Sequence, residues 1–199
     1  MARLLKLLKR DARYLALIAG FFILFVALGV KLPEIAPEAA EHGEDFVRQY
    51  FGKIKAMIEN KTVLEQIIFI FKNNITASFF AIVSGIIPLF PLLFLFINGV
   101  IIGLAQHITQ LEGLAPAKFY LSLLPHGIFE LTAFFIAVFM GLRFNLIPIQ
   151  LIYHYKKTGQ YRGFLKEYFH DLFYYGGLII LLLAIAAVIE MTVSPLILK

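Results

Sequence analysis

Residues 75–105 read ITASFFAIVSGIIPLFPLLFLFINGVIIGLA and carry no charged side chain. Whether this stretch crosses a bilayer once or twice decides the fold. Pro88 and Pro91 oppose a single helix, because proline removes a backbone donor and clashes with the preceding turn. Two helices are therefore expected, the first ended by Gly85 and Pro88 and the second begun at Pro91. The stretch is 31 residues long, whereas two full spans need about 40, so the first helix must start earlier. Thr62-Val63-Leu64-Glu65 supplies that start as a capping box, with Thr62 at the N-cap and Glu65 three residues on. This predicts spans over about 66–87 and 91–108, joined as a Pro-bounded hairpin. A re-entrant hairpin around Pro88 and Pro91 is the alternative, and it leaves both ends on the same side.

Working outward, Tyr14 to Val30 is a further apolar run, preceded by Arg3, Lys6, Lys9, Arg10 and Arg13. A charged start, with Ala27 and Gly29 as small residues, is also how a secretory signal begins. The length and Phe content of the run favour a retained span over about 14–31. Two more spans are expected over about 119–142 and 172–193. The polar segment 32–62 holds Phe46, Val47, Tyr50, Phe51, Ile54, Met57 and Ile58 at helical spacing. That spacing predicts an amphipathic helix over 38–59, lying on the membrane surface or on the other helices. Segment 143–171 carries Arg143, Lys156, Lys157, Arg162 and Lys166 among Tyr153, Tyr155, Tyr161, Phe164, Tyr168 and Phe169, and reads as an interfacial element. With five crossings, both basic segments fall on one side. The positive-inside rule makes that side the cytoplasm and places the N-terminus there. The amphipathic helix is then extracytoplasmic.

Composition agrees with a single all-α transmembrane domain over 1–199 in the plasma membrane. Of 199 residues, 60% are hydrophobic and 16% charged, with a mean hydropathy of +0.83; soluble domains carry about 25% charged residues. Cys and Trp are absent, which excludes disulfides, thiolate nucleophiles and Cys-based metal sites. The net charge of +5 encodes topology beside apolar runs, and no nucleic-acid partner is expected. No P-loop, GxSxG or dinucleotide fingerprint occurs, so no enzymatic activity is expected.

Polar groups inside apolar spans are costly, and each is a candidate site. Pro125-His126-Gly127-Ile128-Phe129-Glu130 is the most informative stretch. His126 and Glu130 share a helix face, continued by Ala133, Ala137 and Gly141 as a small-residue stripe that should face other helices. Such a pair can bridge helices, relay a proton or ligate a cation. Two ligands do not close a metal site and no HExxH is present, so no metal or other cofactor is expected. Asn73, Asn74 and Asn98 are candidates to line a polar cavity with the pair. Gly99-x-x-x-Gly103, Gly85 and Gly127 are expected to permit close helix packing, and the small-residue stripes predict a homodimer. Gln106, His107 and Glu190 read as interfacial.

The order Asn73-Asn74, Ser84-Gly85, Pro88, Asn98-Gly99-x-x-x-Gly103 and Leu124-Pro125-His126-Gly127-x-x-Glu130 resembles the stage II sporulation protein M family. The resemblance covers Phe71 to Gly141 by motif and the other helices by layout. It implies a polytopic membrane protein without established catalytic activity. In spore-forming bacteria such proteins work with cell-wall hydrolase partners during engulfment of the forespore; the family extends to bacteria and archaea that do not sporulate. The reading that follows is a membrane scaffold organising partners at the membrane or cell wall. The alternative is a small transporter or channel using the His126–Glu130 face.

Overall fold

The computed structural model describes residues 2–158 and 162–192. It consists of α1 (Ala2–Ile35), α2 (Pro37–Ile58), α3 (Val63–Val83) with a short 3-10 turn (Ser84–Ile86), α4 (Phe90–Leu111), α5 (Pro116–Asn145), α6 (Ile147–Thr158) and α7 (Arg162–Thr192). Five of these helices, α1, α3 with its 3-10 turn, α4, α5 and α7, are long and apolar enough to cross a membrane. The chain is an all-helical membrane bundle.

Each expected span lies within one of these helices, apart from Ile87, which leaves the 3-10 turn in an extended conformation, and residue 193, which falls outside the described residues. The helices overrun the apolar windows. α1 begins at Ala2 and α7 at Arg162, because Arg and Lys are good helix formers and continue the helix past the hydrophobic run. Segment 143–171 therefore contains the end of α5, the short helix α6 with Ile152, Tyr153 and Tyr155 exposed on it, and the first turns of α7. Pro148 sits in the first turn of α6, where its missing N–H costs nothing. Tyr168, expected at the interface, is buried, and its hydroxyl donates to the Met140 carbonyl at 3.2 Å. Tyr161 lies outside the described residues.

Local signals place the breaks. The Thr62–Glu65 capping box forms in both directions and starts α3. Val63 to Ile86 spans 24 residues, about 36 Å at 1.5 Å per residue, so it is long enough to cross. Between α3 and α4 the chain reverses through Leu89, the one described non-glycine residue with positive φ, at 63°. Its carbonyl accepts from Leu92 and Leu93 and opens α4. Ala36 separates α1 from α2 with φ −144° and ψ 76°, as a residue before proline is pushed out of the helical region.

The most extensive contact is α1 with α4, followed by α5 with α7 and α3 with α5. Glycine makes the first and third possible. A Cβ on Gly99 would sit 2.6 Å from Phe25 Cβ, and one on Gly103 would sit 2.6 Å from the Val30 nitrogen and 2.7 Å from Gly29 Cα. Gly85 meets the Gly141 carbonyl, and Gly141 meets that of Ala81. Ala133 and Ala137 are fully buried in the core. These small-residue stripes are thus used inside one chain, so they carry no argument for a homodimer. Gly127 differs, since a Cβ there would meet nothing within 4 Å; it mediates no close approach.

The amphipathic helix exists as α2. Its first half docks on α4, with Ala40, Val47, Leu104 and Ile108 forming a small buried cluster and Arg48 paired to Glu112 at 2.7 Å. Phe79, Phe80, Leu17, Ile23 and Phe173 are among the exposed apolar side chains of the spans, and they suit a lipid-facing surface.

Candidate functional site

Two polar centres are built into the bundle. The first lies between α5 and α7. His126 and Glu130 project from one face of α5, four residues apart, and Glu190 comes from the last described turn of α7. One ligand atom from each of the three lies within 4.8 Å of the others. His126 is 8% exposed, and the two glutamates are half-buried. Every other close ion pair among the described residues uses different acids, so neither Glu130 nor Glu190 has a cationic partner there. Two carboxylates this close in a low-dielectric interior repel strongly unless a proton or cation lies between them. The arrangement can therefore share protons or hold a cation.

Glu190 escaped assignment to this site because its place near the end of an apolar run reads as interfacial. Its partnership with His126 depends on how far α7 is displaced along α5, which no local pattern encodes. Gln106, near the end of α4, is buried, and its amide donates to Gln110 at 2.8 Å. His107 lies 3.7 Å from Glu44 of α2. The asparagines make local bonds. Asn73 Nδ2 donates to Asn74 Oδ1 at 3.3 Å, with Asn73 exposed and Asn74 half-buried. Asn98 Nδ2 donates to the Phe94 carbonyl of its own helix at 2.8 Å.

The second centre joins α1, α5 and α7 at the end of the bundle that carries the N-terminus. Arg10 Nε and Nη2 donate to the two carboxylate oxygens of Asp11 at 2.8 and 2.7 Å. Arg10 Nη2 also donates to Asp171 at 2.9 Å, and Arg143 Nη1 donates to the same oxygen at 2.9 Å. The Tyr175 hydroxyl donates to Asp11 at 2.7 Å. Asp11 and Asp171 are 4% and 2% exposed, and the Arg143 guanidinium lies over the rings of Phe139 and Tyr168. Two arginines balance two buried aspartates, so the charge of the network sums to zero. Sequence reasoning counted Arg10 and Arg143 as topology signals and passed over both aspartates. The partners are 161 residues apart in the chain, and nothing local announces them.

The architecture fits what the motif order suggested. The family profile described as Stage II sporulation protein M matches residues 15–195, nearly the whole chain. No curated protein and no solved structure gives a significant match. The match spans all five apolar helices and both polar centres except Arg10 and Asp11, and on it the chain belongs to the stage II sporulation protein M family.

Proposed function

We propose that this protein is a non-enzymatic membrane scaffold that organises partner proteins at the plasma membrane and cell wall. The observation that carries the reading is α2. Its buried cluster with α4 lies in its first half, while Phe46, Tyr50, Phe51 and Met57 remain exposed on it. Phe46 and Tyr50 stack at 6.0 Å, and Tyr50 meets Phe51 at 5.5 Å, making a continuous aromatic surface outside the spans. Exposed aromatics of this kind are the anchors of protein interfaces. The basic end of the bundle faces the cytoplasm under the positive-inside rule, which puts α2 on the cell-wall side. Partners of the cell-wall hydrolase class, which the family resemblance implies, would meet it there.

A photo-crosslinking residue at position 51, introduced in the native cells, tests this. The expected result is a discrete protein adduct at 51 that is absent at Leu17 and Leu124, both exposed on spans. An adduct of twice the chain mass would identify a second copy as the partner. Lipid adducts alone at all three positions would overturn the scaffold reading.

Convergence of His126, Glu130 and Glu190 favours a second reading, a small transporter moving protons or cations. Transport requires water to reach this face. Cysteines at Leu123, Gly127 and Ala133, placed singly in a chain that has none, report it. Under the scaffold reading all three stay protected from a membrane-impermeant thiol reagent while loop controls label. Labelling from either side would replace that reading with transport.

A further inference from the structure

We propose that His126, Glu130 and Glu190 form a binding site for one divalent transition-metal ion inside the membrane domain. The inference stands apart from the scaffold role and from any transport. Its first ground is geometry, since one imidazole nitrogen and two carboxylate oxygens from two helices come within 4.8 Å of one another. All three can therefore reach a single ion at about 2.0–2.2 Å after small rotamer adjustments. Its second ground is charge. The buried aspartates at the other end of the bundle are each answered by arginine. Among the described residues Glu130 and Glu190 have no such answer. An apolar span favours a neutral pair; one divalent ion supplies that neutrality, as bound protons would in its absence.

Donor type narrows the ion. A mixed imidazole and carboxylate set suits Zn2+, Mn2+ or Fe2+, whereas Ca2+ and Mg2+ prefer all-oxygen shells and soft ions prefer thiolates. Three protein ligands leave at least one coordination position for water. The expectation of no metal site rested on two ligands four residues apart; Glu190 is the third, delivered by the fold.

The test uses the full chain in detergent, freed of any histidine tag. Metal content is measured by mass spectrometry, and the chelator-stripped protein is then titrated with Zn2+ and Mn2+ against a chromophoric competitor. One equivalent per chain is expected for at least one of the two ions. E190Q should weaken binding about 100-fold or more, the scale on which a lost ligand exceeds a lost second-shell contact, and H126Q should do likewise. E34Q, which alters an exposed pair on α1, should leave binding unchanged. If E190Q does not fold, the Co2+ absorption spectrum of the wild-type chain decides, and a spectrum showing nitrogen and oxygen ligation supports the site. Folded wild-type protein that binds neither ion stoichiometrically, or binding untouched by both E190Q and H126Q, overturns the proposal.

Discussion

Replacement of Asp171 by Asn is expected to destabilise the folded bundle by about 2–4 kcal/mol, read as a lowered midpoint in thermal or SDS unfolding of the reconstituted protein. The aspartate is almost fully buried and accepts from two arginines on two different helices, α1 and α5. Asn has the same shape but no charge, so it leaves Arg143 without its carboxylate and Arg10 with only Asp11. Losing one partner of a buried pair costs about 3–5 kcal/mol when both ions are dry. Arg10 is half-exposed and Arg143 about a quarter exposed, so water recovers part of that. The exposed Lys31–Glu34 pair at 2.8 Å provides the contrast, and E34Q should produce no measurable change because surface pairs contribute little. The double variant R143M/D171L should recover most of the loss, since removing both charges leaves neither unpaired. If D171N unfolds at the wild-type midpoint, the network contributes nothing measurable to the stability of the bundle.

These predictions depend on tertiary facts, and the residues involved show where local reading stops. Hydropathy and capping pointed to the five helices that are long and apolar enough to cross a membrane, because a bilayer demands about 20 apolar residues with satisfied backbone groups. The amphipathic spacing of Phe46, Val47, Tyr50 and Phe51 located α2 for the same reason of period. Helix ends were missed wherever the helix outlives its apolar window, as at Ala2 and Arg162. His126 and Glu130 were legible as a face because i and i+4 lie on one side of any helix. Glu190, Asp11 and Asp171 were not, because their roles arise from the relative displacement of helices distant in the chain. The glycines are an intermediate case. Gly99 and Gly103 announce a close approach but not its partner, which proves to be α1 of the same chain. Gly127 shows the converse, a small residue in a polar motif where an added Cβ would meet nothing within 4 Å.

That contrast gives the second large effect. Gly103→Leu should prevent the native α1–α4 contact, the most extensive in the bundle, and cost more than about 3 kcal/mol, the upper end for overpacking in a core that can relax. This site cannot relax in the usual way. The atoms that a Cβ would strike are the Val26 carbonyl, the Val30 nitrogen and Gly29 Cα, all backbone, so no rotamer change makes room. α1 would have to translate away from α4, and Gly29, itself pressed on the Val100 backbone, would lose its contacts at the same time. Even Gly103→Ala should destabilise, although alanine is the better helix former by about 1 kcal/mol. At Gly20 and Gly127, where a new Cβ meets nothing within 4 Å, the same change should be neutral or stabilise by about 0.5–1 kcal/mol. One substitution, glycine to alanine, thus has opposite expected signs at positions 103 and 127, and unfolding midpoints of the two variants measured side by side separate backbone contact from intrinsic propensity. Equal midpoints would mean that α1 and α4 are not held at glycine-limited distance, and the stripe at 99 and 103 would then be free to serve a contact between chains.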